Sequence, residues 1–208
     1  MGAPVRRRTD RASPALTVAA LVSCASCVPG APKSAAPATD VHASKIEPPD
    51  HVTLTMACTP TGPELCFNAI DDNCNGVIDE GCGVGTGVLQ FTIAWKEEVA
   101  DVNLRVTDPS GAVVDAKQKA SRSGLRLDRD CPGTTESCGG QNTENVFFEG
   151  LDPPRGHYKV EVVLVDAHGA QTPIVTHFSA RIGSQTHSAD VELGAGEGAD
   201  KKTFGYDL

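Results

Sequence analysis

From Val88 onward the chain alternates apolar and polar residues with a period of two, the pattern of strands buried on one face. Val88 to Trp95 puts Leu89, Phe91 and Ile93 on one side, and Val102 to Thr107 does the same with Val102, Leu104 and Val106. The same reading predicts strands over Ala112–Ala116, Asn145–Glu149, His157–Asp166, Pro173–Ile182 and Ser188–Leu193. Turn signals separate them: Asp108-Pro109-Ser110-Gly111, Asp152-Pro153-Pro154-Arg155-Gly156, Ala167-His168-Gly169 and Gly183-Ser184. Short strands at this spacing, with no helical period longer than two turns, predict a mainly β fold. The expected architecture is an antiparallel β-sandwich of immunoglobulin or jelly-roll type over residues 84–208. A domain of that size buries roughly two thirds of its surface and can fold alone.

Upstream the alternation stops. Residues 24–57 are rich in Pro, Ala and Ser without an apolar period, which predicts a flexible tether, about 25 to 30 Å in root-mean-square reach for its Pro-rich part. Before it, Arg6, Arg7, Arg8 and Arg11 precede the apolar run Ala12–Val22, too short to span a bilayer, so residues 1–23 read as a secretion signal. The signal ends in Leu21-Val22-Ser23-Cys24, which resembles the bacterial lipobox. That resemblance implies cleavage before Cys24 and acylation of its thiol, with a lipid bilayer as partner. Cys27 fits less well, because Cys24 stands where the Leu should be.

Charge and cysteine content narrow the reading. Removing the four Arg and the one Asp of residues 1–23 leaves 14 basic against 26 acidic residues, a net charge of −12, which excludes nucleic acid as an expected partner. Beyond Cys24 and Cys27 six cysteines remain, at positions 58, 66, 74, 82, 131 and 138. An even number in an exported chain predicts three disulfides.

Residues 58–83 form a separate cysteine-rich module ahead of the short glycine hinge Gly83–Gly87. Cys58, Cys66, Cys74 and Cys82 permit three pairings. Cys58 with Cys74 and Cys66 with Cys82 is preferred here, because crossed loops would wrap the acidic turn between them. Each bridge would stabilise the module by about 3 kcal/mol in the chain-entropy picture. Zinc would need closely spaced Cys pairs, which the seven-residue gaps do not supply. Asp71, Asn73, Asn75, Gly76, Ile78 and Asp79 follow the opening of a calcium loop, D-x-[DN]-x-[DN]-G-x-[ILV]-D. The expected ligands to Ca²⁺ are Asp71, Asn73, Asn75, Val77 through its carbonyl, Asp79 and Glu80. The usual twelfth-position Glu is replaced by Cys82.

The run Glu64 to Gly81 resembles the metal-binding repeat of secreted bacterial proteins, E-x-C-N-G-x-D-D-x-C-D-G-x-x-D-E-G. Phe67 is an extra residue relative to it, Ala69 replaces Gly and Asn75 replaces Asp. The resemblance admits copper, with His51 and Met56 nearby, but carboxylates and amides suit calcium better than a softer ion. A second resemblance covers roughly residues 88–165, through Trp95, Asp101–Gly111, Ser123-Gly124, Leu127–Asp130, Thr143–Asn145 and Pro154–Val162. It is to an uncharacterised bacterial domain similar to the β-sandwiches appended to secreted peptidases. Asp101, Asp128, Asp130 and Glu144 lie on its motifs and are candidates for a second calcium site. Cys131 and Cys138 are expected to clasp the polar loop between them.

Catalytic motifs are lacking: the chain has no H-E-x-x-H, no G-x-S-x-G and no P-loop. The expected protein is therefore a non-catalytic cell-envelope lipoprotein, a binding or structural module with a calcium-stabilised neck and an envelope protein or polysaccharide as partner. An accessory domain of a secreted hydrolase system and a copper-binding envelope protein are the alternatives.

Overall fold

The computed structural model describes residues 40–132, 138–194 and 200–208 and finds ten strands in them. The signal segment, Cys24 and the start of the tether lie outside the described residues. In chain order the strands are β1 Lys45–Glu47, β2 Leu89–Trp95, β3 Asp101–Thr107, β4 Val113–Val114 and β5 Leu125–Arg129. They continue with β6 Thr143–Phe148, β7 His157–Asp166, β8 Ile174–Ile182, β9 Gln185–Leu193 and β10 Lys201–Asp207. One sheet runs β1-β10-β7-β3-β4 and the other β5-β6-β2-β8-β9, all pairs antiparallel, and no helix occurs among the described residues. The fold is a β-sandwich.

Its core lies where the alternation predicts. Leu89, Phe91 and Ile93 of β2 face Val102, Leu104 and Val106 of β3, all fully buried. Phe178 stacks on Phe204 with ring centroids 4.1 Å apart, and Phe91 meets Tyr206 at 5.5 Å, so aromatic pairs link the two sheets.

Three strands escape the sequence reading, each for a physical reason. In β10 only Phe204 and Tyr206 carry the inward apolar signal, diluted by Lys201, Lys202 and Gly205. In β5 two inward leucines alternate with charged residues. The third, β1, is a three-residue edge strand in a polar stretch, held by pairing with β10.

This β1 strand corrects the tether. Val41 is buried, Ser44 donates its N–H to the Asp207 carbonyl, and Thr55 exchanges both backbone hydrogen bonds with Ser188 on the outer edge of β9. Residues 41–55 therefore cover sheet edges instead of swinging free. Gly183, at φ +63°, leaves the space: a Cβ there would lie 2.0 Å from the Val41 carbonyl oxygen.

The disulfide module is not a neck either. All seven residues of β2 are buried, including the outward Gln90 and Thr92, because the module lies over the outer face of the second sheet. Gln90 Nε2 donates to the Ile78 carbonyl of the module at 3.1 Å and to Asn145 Oδ1 at 3.0 Å. Of the glycines expected to hinge the two parts, Gly85 and Gly87 are packed, while Gly83 stands in open space. Gly85 donates its N–H to Asp128 Oδ2 and accepts from Asn145 Nδ2, and a Cβ at Gly87 would meet the Phe148 carbonyl oxygen at 2.3 Å. Module and sandwich belong to one compact unit.

Candidate metal centre

Too short to build a core from apolar residues, the module is organised by carboxylates. Ala69 and Ile78 are its fully buried apolar side chains. Cys58 is bonded to Cys74 and Cys66 to Cys82, the crossed pairing, with Cys131 bonded to Cys138 in the sandwich. Two crossed sixteen-residue separations wind the chain around Asp71, Asp72 and Asp79, all buried.

Each of these aspartates is spent on hydrogen bonds within the module. Asp79 accepts the N–H groups of Phe67 (2.8 Å), Asn68 (3.3 Å) and Ala69 (3.1 Å), a nest of donors created where Phe67 and Ala69 adopt positive φ. Burial raises the pKa of Asp79, and those three hydrogen bonds oppose the rise. Asp71 accepts from Asn75 N–H at 3.0 Å and Gly76 N–H at 2.8 Å, which forms the predicted loop bend. Asp72 binds Thr61, Leu65 and Asn68. Burial pushes its pKa up, but hydrogen bonds from Asn68, Leu65 and Thr61 outweigh burial and hold it below the ordinary value.

The expected ligand set is thus rearranged. Asn73 and Asn75 both turn their amide nitrogens onto Glu80 Oε1, while their own oxygens accept backbone N–H groups of Asn75 and Val77. Asp71 and Asp79 serve the fold of the loop. The carboxylates left over are Glu80 and one absent from the expected set, Glu64. Glu64 Oε1 accepts the Asp79 N–H at 3.0 Å, but Glu64 Oε2 and Glu80 Oε2 are both buried without a hydrogen-bond partner among the described residues. Burial, then the charge of Glu80, pushes the pKa of Glu64 up to about 7. Two buried, unpartnered carboxylate oxygens whose groups feel each other's charge call for a proton or a cation. Glu64 was legible as the first letter of the resembled repeat, although the calcium-loop pattern starts seven residues after it.

Among the described residues no group of three or more His, Cys, Asp and Glu side chains is placed to hold a metal by itself. A cation at Glu64 and Glu80 would complete its shell with carbonyl, amide or water oxygens, which calcium accepts and copper does not favour. The softer donors do not gather: His51 and Met56 are both exposed, and the four module cysteines are oxidised.

One arginine of the sheet stacks on the module and a second lies within the field of its acids. Arg129 stacks over the Phe67 ring with its guanidinium carbon 4.2 Å from the centroid. Burial lowers the pKa of Arg181 on β8, against the charges of Asp71 and Glu80, which raise it.

The second candidate site divides. β5 pairs with β6 through a bulge between Leu127 and Arg129, so Asp128 and Arg129 both serve the outer face while Asp130 returns to the inner side. Asp128 Oδ1 accordingly accepts from Asn145 Nδ2 at 2.8 Å beneath the module. Glu144 points inward, fully buried, its Oε2 accepting the Leu104 N–H at 2.6 Å. That N–H is free because β4 pairs only with Val106 and Thr107 of β3. Burial raises the pKa of Glu144 well above the ordinary value, and the nearby Asp130 raises it further. Asp130 is neutralised by Lys119 Nζ at 2.8 Å, and Asp101 lies within the field of Asp130. The four acids do not form one site: Asp128 is on the opposite face of the sheet from Glu144.

His177 Nδ1 lies 2.6 Å from Asp190 Oδ1 across β8 and β9. Ser179, next on the same face of β8, is buried, and its hydroxyl has no hydrogen-bond partner among the described residues. Comparison of the chain with protein-family models, curated proteins and solved structures finds no match.

Proposed function

We infer that the protein is a cell-envelope lipoprotein, a non-catalytic binding or structural module anchored through Cys24. Its disulfide-bonded part acts as a calcium-stabilised cap on the sandwich. The observation that carries the cap is the pair of buried oxygens, Glu64 Oε2 and Glu80 Oε2, left without partners in a loop whose other carboxylates are all engaged. A calcium ion between them neutralises both charges and ties the loop after Asp71 to the segment before Cys66. Because the cap covers polar strand residues such as Gln90 and Thr92, stiffening it also holds the outer face of the second sheet.

The anchor rests on the basic residues before Ala12–Val22 and on the lipobox-like Leu21–Cys24. The non-catalytic reading rests on the sequence alone, which carries no H-E-x-x-H, G-x-S-x-G or P-loop motif. Replacing Cys24→Ser and fractionating the cells tests the anchor. Transfer of the protein from the membrane to the soluble fraction is expected, and unchanged membrane association would overturn it.

A further inference from the structure

Beside the cap, the outer face of the second sheet is left open as a groove of about 770 Å³. Phe67 and Ile70 of the cap border it on one side, and Val175 and His177 of β8 and Asp190 of β9 line it too. Residues following β2 and preceding β6 close it, among them Glu97 and Asn142. Ile70 of the cap and Val175 of β8 are exposed at 40% and 46%, and together they give the groove an apolar surface.

The polar groups of this groove are unevenly matched. Asn142 is 3% exposed, yet its Oδ1 has no hydrogen-bond partner among the described residues, and neither has the buried Glu97 Oε2. Both are acceptors. Asp190, with a side chain 67% exposed and paired with His177, adds a further carboxylate to the lining, and Glu98 lies against Gly140 at the rim. Among the described residues Lys96 is the one ammonium lining the groove. Buried acceptors left without donors are costly, so a ligand that brings donors and positive charge gains most here.

We propose that this groove binds a basic segment of polypeptide, with the aliphatic stem of a Lys or Arg side chain on Phe67, Ile70 and Val175 and its cationic head on Glu97 and Asn142. The inference names the partner class for the binding module described above and rests on that reading. Apolar walls that take the methylene stem and a charged end that takes the head are how such amphipathic side chains are recognised. A neutral saccharide would match the apolar walls but would leave Glu97 without a counter-charge.

The test titrates the full-length oxidised protein into fluorescein-labelled tetralysine and tetraglutamine peptides and reads anisotropy. Tetralysine is expected to bind and tetraglutamine not. Glu97→Gln is expected to weaken tetralysine binding about tenfold or more, the scale of a lost hydrogen bond to a charged group. Glu149→Gln, which removes the same charge beside Arg126 and away from the groove, is expected to leave binding unchanged. Val175→Lys, placing a cation in the groove on an exposed position, provides an independent variant and is expected to abolish binding. Equal weakening by Glu97→Gln and Glu149→Gln, absence of tetralysine binding, or displacement of neither peptide but saturable binding of maltotetraose would overturn the proposal. Loss of peptide binding with the cap's calcium response intact would refute this inference alone and leave the cap reading standing.

Discussion

Replacing Asp79 by Ala removes the acceptor that organises the cap. The carboxylate is fully buried and accepts three backbone N–H groups, from Phe67, Asn68 and Ala69. A hydrogen bond to a charged group contributes about 1.5 to 3 kcal/mol, and an orphaned buried donor costs its full desolvation. Ala69 is buried and gains no substitute, whereas Phe67 and Asn68 are half-buried and water can reach them in part. Counting one bond fully and two in part, less the relief of no longer burying a carboxylate, gives a loss of about 3 kcal/mol. Urea unfolding followed through the single Trp95, buried beneath the groove wall, measures it. Asp79→Asn keeps one acceptor oxygen and is expected to fall between the two. A loss below about 1 kcal/mol for Asp79→Ala would refute the claim that this carboxylate holds the loop.

Glu144→Gln should remove much of the protein's pH dependence. The raised pKa means that the folded state keeps a proton the unfolded chain has lost. Stability is therefore fully present below the unfolded value and declines as pH rises through the folded one. The wild type should lose stability as the pH rises above the ordinary carboxylate range, and the variant, whose amide can still accept from Leu104, should lose less, with the dependence of Glu64 remaining; parallel curves in thermal melts would contradict this. Replacing both Cys58 and Cys74 by Ser opens the first of the crossed bridges and should cost about 3 kcal/mol in urea unfolding, and a cost near zero would show that the bridge does not constrain the cap.

Much of the sandwich is legible because β2, β3, β7 and β8 each bury one clean alternating face. What the pattern could not show is where a polar face is also buried. Gln90, Thr92 and Asn145 look solvent-facing by composition, and only the cap's position over them makes them interior. The same limit hid the end of the tether, since Val41 and Thr55 are held by long-range backbone pairing that leaves no local periodicity. In the cap, cysteine spacing left three pairings open, while the loop bend at Gly76 was readable from Asp71 and the asparagines. The allocation of carboxylates was not, because a loop template counts oxygens without counting the backbone donors that compete for them. Asp79 faces three such donors, so the free carboxylate falls to Glu64, which lies outside the template. A bulge in β5 similarly sent Asp128 and Glu144 to opposite faces of a sheet on which their motifs had suggested one site.

Amide hydrogen exchange at Phe67, Asn68, Ala69 and Gly76, recorded with and without calcium, tests the cap most directly. These are the N–H groups that Asp79 and Asp71 hold closed. If Glu64 and Glu80 share a calcium ion, all four amides should exchange more slowly when calcium is added, and Glu64→Gln should abolish the difference. Identical exchange with and without calcium in the wild type would contradict a calcium-stabilised cap.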